Sequence, residues 1–189
     1  MQDIDLDKIK IETEWPIIGR IKDDLYPYEG YDHIRYTARA LAENEEGKFG
    51  FLHIKGEDYF GIRDHLETCG GGLEENEGIY EALVREIREE MGFEITSFEL
   101  IGSILDAYNL IGRITFSTFA HVKLDTSNIE KTERTQAEEI LIKEILWFDP
   151  LDALDYLEHH YSSNVDLIVQ RRDAMALRYY LEKHRGFQS

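Results

Sequence analysis

A chain of 189 residues with a formal net charge of −18 and a pI near 4.7 is long enough for one domain whose core needs neither disulfide nor metal to fold. The acidity excludes a bare nucleic-acid or anionic-membrane binder, whose phosphate contacts rest on clustered Lys and Arg, but it allows a small phosphate-bearing ligand bridged by a divalent cation. The lone Cys69 rules out an internal disulfide, and with neither a ~20-residue apolar run nor a signal-peptide pattern a soluble, cytoplasmic protein is predicted.

Residues 1–32 end in the turn-prone DDLYPYEGYD and are predicted to form an N-terminal arm before a main domain over 33–189. HIRYTARALAE (33–43) is strand-like, and ENEEG after it is a turn. KFGFLHI and EDYFGI alternate on either side of Lys55-Gly56 and predict a meander hinged there. LETCGGG breaks the pattern at three glycines. Ile79, Leu83, Ile87 and Met91 recur every four residues, the stripe of an amphipathic helix that Gly92 is placed to end.

FEITSFELIGSIL (93–105) and LIGRITFSTFAHVKL (110–124) read as strands, the polar stretch 125–136 as a loop, and EILIKEILWF (139–148) as another strand. Asp149-Pro150 supplies a helix cap and first-turn proline for LDALDYLEHH. Ser163-x-x-Asp166 opens a last helix through His184. Strands, a helix, strands and then helices imply an α/β fold, a mixed sheet packed between helices.

The helix over 79–91 crowds three carboxylates. At about 100° per residue, Glu89 lies roughly 60° to one side of Glu86 and Glu90 roughly 40° to the other, bordering the apolar stripe. Like charges at these spacings cost about 0.2–0.5 kcal/mol per pair. Either water screens the cluster as an ordinary solvated face, or a hard cation such as Mg²⁺, which takes oxygen ligands, reverses the penalty.

The stretch GGLEENEGIYEALVREIREEMGF, Gly71 to Phe93, resembles the signature box of the Nudix hydrolases, G-x5-E-x7-R-E-U-x-E-E-x-G-U, at all nine specified positions. The resemblance implies a Nudix-type α/β/α sandwich and a Mg²⁺- or Mn²⁺-dependent enzyme that cuts a phosphoanhydride bond in a nucleoside diphosphate linked to another moiety. By position, Glu86, Glu89 and Glu90 would ligate the metal, helped by a carbonyl of Gly70 or Gly71, while Glu77 and Arg85 would form a supporting ion pair. The base would be Glu89 or a loop glutamate, Glu138 or Glu139. Cys69 stands where relatives commonly have proline, and reads as a small buried side chain.

Arg63 and Tyr108 are weaker candidates for substrate contact, set against the plain readings of a surface arginine and a packed tyrosine. The alternatives are a Nudix-fold module that senses a nucleotide sugar without cleaving it, whose relatives tend to have damaged boxes, and a diphosphate isomerase, whose cysteine setting is not seen around Cys69. No partner macromolecule is implied beyond a possible homodimer, for which the N-terminal arm is a candidate swapped element.

Overall fold

The computed structural model describes residues 6–184 and 186. Among them the strands are β1 (Ile17–Ile21), β2 (His33–Glu43), β3 (Phe49–Asp58), β4 (Gly61–Glu67), β5 (Gly70–Gly72), β6 (Glu94–Tyr108), β7 (Arg113–Asp125) and β8 (Ile142–Phe148). The helices are α1 (Ile79–Met91), α2 (Gln136–Leu141), α3 (Pro150–His159) and α4 (Asn164–His184). The strands form one mixed sheet in the order β1-β6-β7-β2-β3-β4, with β5 pairing β2 and β8 pairing β3.

Two apolar layers cover the sheet. On one face Leu83, Ile87 and Met91 of α1 pack on Ala38, Ala40 and Ala42 of β2, small residues that let the helix approach closely. Burying a side chain the size of Leu83 or Ile87 stabilises the fold by about 1.5–3 kcal/mol. On the other face Leu177 and Leu181 of α4 and Leu154 and Leu157 of α3 meet Leu41, Phe49, Phe51 and Phe119. The mixed sheet between helices is the expected sandwich.

β2 organises the site by changing partners along its length. It runs parallel to β7 from His33↔Arg113 to Glu43↔Lys123. On its other edge it pairs β5 over Thr37–Arg39 and reaches β3 only at Ala42 and Glu43. Because β3 pairs β2 only at that far end, the glycine strand takes the edge over Thr37–Arg39, and Gly70–Gly72 lies beside α1.

Two elements differ from the sequence reading, and one strand is added to it. The β3–β4 turn falls at Tyr59-Phe60 rather than Lys55-Gly56, because the Asp58 carboxylate accepts the Phe60 N–H at 2.8 Å and sets the turn itself. Residues 139–141, read as strand, complete α2. Thr135 and Glu138 close a reciprocal capping box that nucleates that turn. Within the N-terminal 32 residues, β1 adds a parallel strand along β6 of its own chain, and Trp15 donates to Ser103 Oγ at 2.7 Å beside it.

Candidate active site

α1 ends at Gly92, whose left-handed φ of 74° lets its N–H bond back to Ile87 and Arg88 carbonyls. The helix therefore stops where β6 must begin, and its inner face is held over β5. Gly70 adopts φ 136°, and a side chain there would collide with the Ala38 carbonyl. A side chain at Gly71 would collide with the Glu86 carboxylate. The glycines thus let backbone and carboxylate share one narrow space.

That space is a cavity of about 310 Å³ whose walls include Arg35, Arg39, the three glycines, Glu86, Glu90 and Glu138. Glu86 and Glu90 are only 8% and 7% exposed although they sit on a helix surface, which disposes of the solvated-face reading for these two. Glu90 accepts the Gly70 N–H at 3.0 Å. Burial drives its carboxyl up to about 7 against the pull of Cys69 and Gly70. Glu89 is half-buried and also shifted up, by burial first, with Glu86 adding to it and Arg85 opposing.

Arg85 is shared among the acids. Its Nε and Nη2 donate to the two oxygens of Glu77 at 2.8 and 2.9 Å, and its Nη1 donates to Glu86 at 2.7 Å and reaches Glu89 at 3.5 Å. The fork also takes the Gly72 carbonyl at 3.2 Å. These hydrogen bonds hold Glu77 below the usual carboxylate range.

The remaining candidates fall in different places. Glu138 lines the cavity, whereas Glu139 is exposed on the next position of α2. Arg63 borders the cavity, but its Nε and Nη1 donate to Asp166 and Asp58, each at 2.7 Å. Tyr108 is buried against Val165 and Ile168, with its hydroxyl pushed up to about 12 by burial. Cys69 is fully buried, and burial, then Glu90, raises its thiol. Sequence reasoning missed Arg35 and Arg39, which the alternation in HIRYTARA places on one face of β2, and Arg134, whose guanidinium donates to the Glu90 carbonyl at 2.6 and 3.0 Å.

The donor set suits a hard divalent cation: two buried carboxylates and a third beside them, facing a glycine backbone able to offer a carbonyl. Among the described residues no three such groups are drawn into a closed cage.

The family model for the NUDIX domain matches residues 33–168. No curated protein matches the chain. Solved structures do. The ORF135 protein of E. coli is 23% identical and superposes with a TM-score of 0.56 over 82% of this chain and 96% of its own. A MutT protein from Methanosarcina mazei Go1 gives 15% and 0.58 over 84% and 99%, and a NUDIX hydrolase from Nitrosomonas europaea 18% and 0.55 over 82% and 96%. The chain belongs to the Nudix family. Within it, the fold and the intact box define a Nudix-type pyrophosphohydrolase.

Proposed function

We propose that this protein is a Mg²⁺- or Mn²⁺-dependent hydrolase of a small nucleoside diphosphate derivative, cutting the phosphoanhydride that joins the nucleotide to its other moiety. The observation that carries this reading is the pair of buried carboxylates, Glu86 and Glu90, facing the Gly70–Gly72 backbone across one cavity. Buried like charges are costly without a counter-charge, and a cation between them and a diphosphate supplies it.

Glu86, Glu89 and Glu90 would hold the cation, with a carbonyl of Gly70 or Gly71. When bound, it would neutralise charge developing on the phosphoryl oxygens and acidify a water. The protein's own part is positional. Arg85 ties Glu77 to Glu86 and to the Gly72 carbonyl, fixing the loop against α1. The attacking water must lose a proton as its oxygen bonds to phosphorus. Glu89 is suited to accept it, being the least buried of the three and, among the described residues, held by the 3.5 Å reach of Arg85 alone. Glu138 faces the same cavity, although one of its oxygens is held by the Thr135 N–H at 2.7 Å. This makes Glu138, rather than Glu139, the loop carboxylate of interest.

No helix among the described residues is long and apolar enough to cross a membrane, and a cytoplasmic setting fits the buried, unpaired thiol of Cys69. The test is turnover of ADP-ribose, nucleotide sugars, dinucleoside polyphosphates, NADH, coenzyme A and nucleoside triphosphates with Mg²⁺ or Mn²⁺ and with EDTA. Cleavage of at least one, lost in EDTA and restored by either cation, is expected. Full activity in EDTA, or none on any compound, would refute the assignment.

A further inference from the structure

Arg35, Arg39 and Arg63 line the cavity, Arg113 and Arg172 lie outside its walls, and the five divide into two kinds. Arg39 pairs with Glu67 at 2.7 Å, Arg172 with Asp173 at 2.7 Å, and Arg63 with Asp58 and Asp166. Arg35 and Arg113 are different. Among the described residues neither has a carboxylate within ion-pair distance, and neither donates a hydrogen bond. Arg113 is half-buried, its Nε is shut off from water with no partner, and its guanidinium carbon lies 5.9 Å from the centre of the Tyr108 ring.

The two cations share a neighbourhood. His33 pairs with Arg113 across the parallel β2–β7 ladder, and Arg35 is two residues beyond His33 on the same face. Diagonal neighbours of this kind sit about 7–8 Å apart. Both are shifted down, by desolvation first. Desolvation, then Arg39, lowers Arg35, while desolvation, then Arg35 itself, lowers Arg113, and Asp106 opposes from beyond ion-pair distance. The paired Arg63 and Arg172 are shifted the other way. Arg35 is exposed and Arg113 half-buried, and two neighbouring guanidinium groups with no internal anion can take one from solution.

Their placement says which anion. The Arg35 guanidinium lies 3.2 Å from where a side chain at Gly72 would begin, while the Glu86 carboxylate crowds the same position at Gly71. Arg35 is close enough to Glu86 to feel its charge, and Arg113 lies a strand further off. Glu86, Arg35 and Arg113 therefore follow one another in that order away from the glutamates. We propose that Arg35 and Arg113 form a second anion subsite, which takes a phosphate of the substrate beyond the diphosphate held at the glutamates. Preferred substrates then carry three or more anionic groups in a row. This rests on the hydrolase reading for the identity of the first subsite, but the arginines can be examined without it.

The probe is inorganic tripolyphosphate, titrated calorimetrically in EDTA at low ionic strength. The wild-type protein should bind it, and Arg35→Gln and Arg113→Gln should each weaken binding at least tenfold. Lys123→Gln, an exposed cation elsewhere on β7, should not. Melting temperatures of both arginine variants should stay close to wild type, because no ion pair or hydrogen bond is lost and Arg113 gives up only its contact with the Tyr108 ring. Arg35→Lys, keeping the charge without the fork, should recover part of the affinity. Absence of wild-type binding, binding by the two variants as tight as wild type, or a collapse of their melting temperatures would overturn the proposal. Failure of the cation reading would show separately, as absence of Mn²⁺-dependent cleavage in a protein that still binds tripolyphosphate in EDTA.

Discussion

The inner face of α1 and the seam between β4 and α4 both concentrate ionised side chains, and they balance them differently. In the seam, Asp166 accepts Arg63 Nε and Ser162 Oγ at 2.7 Å and the Asp64 N–H at 3.1 Å, with His65 at 2.9 Å. About two turns along α4, Asp173 accepts the Thr68 N–H at 2.7 Å and the Arg172 Nε–H at 2.7 Å. Acids and bases there are matched, and Asp166 is held well below the carboxylate range once His65 and Arg63 outweigh its burial. On and just before α1, Glu77, Glu86 and Glu89 share the single ion-pair partner Arg85 among the described residues, and Glu90 accepts a backbone N–H beside the Cys69 thiol with no cation in ion-pair contact. The same residue types thus make a lock where they are balanced. Where they are not, they leave a demand for a cation.

The comparison breaks most readily in the seam. Asp166→Ala leaves Arg63 and His65 buried without their partner and should cost about 3–5 kcal/mol in urea unfolding, as removal of one member of a buried pair does. A loss below 1 kcal/mol would mean that the seam is not structural. On α1, Arg85→Gln releases Glu77 and Glu86 without opening the core. Turnover on the best substrate should drop about 10–100-fold, as for other residues that orient metal ligands, with the circular dichroism spectrum unchanged. An unaltered kcat would show the fork to be dispensable.

A smaller effect should appear with pH. Burial alone would lower His65, but Asp166 and Glu67 outweigh it, and its pKa is raised above 6.5 with Arg63 opposing. The folded protein therefore holds a proton that the unfolded chain releases. The stability this contributes is complete below about pH 6.5 and is lost as pH rises through the raised value. Asp106, held up to about 6 by burial, loses its own contribution at lower pH, between its unfolded and folded values. His65→Gln should accordingly flatten the decline in unfolding free energy above pH 6.5 and leave the decline below it in place. Parallel curves for variant and wild type would show that His65 does not carry the proton.

The two regions were also unequally legible. Fixed spacing wrote the α1 cluster into the chain, because helical periodicity and the box together put Glu86, Glu89 and Glu90 on one side. The two-layer sandwich followed from runs of alternating and four-spaced apolar residues. The seam was hidden because its partners are about a hundred residues apart, as Thr68 and Asp173 are, and no local pattern pairs them. Arg35 carried a faint signal in the alternation of HIRYTARA, but its lack of a partner is a tertiary fact. α2 was misread although its Thr135–Glu138 capping box stood in the sequence, since the apolar run after it suggested a strand throughout.

The central claim is that the unbalanced acids on α1 serve a cation rather than the fold, and Glu90→Gln tests it most directly. The amide keeps the shape and can still accept the Gly70 N–H, while one of the crowded charges is removed. Melting should be followed for wild type, Glu90→Gln and the control Glu81→Gln, each with and without Mn²⁺. Without metal, Glu90→Gln should melt level with wild type or gain a few tenths of a kcal/mol, about the scale of a relieved like-charge pair. With Mn²⁺, wild type and Glu81→Gln should rise, while Glu90→Gln should rise much less, because ligand stabilisation tracks affinity for the native state. A Glu90→Gln protein that melts far lower without metal yet shows the full Mn²⁺ shift would contradict the account.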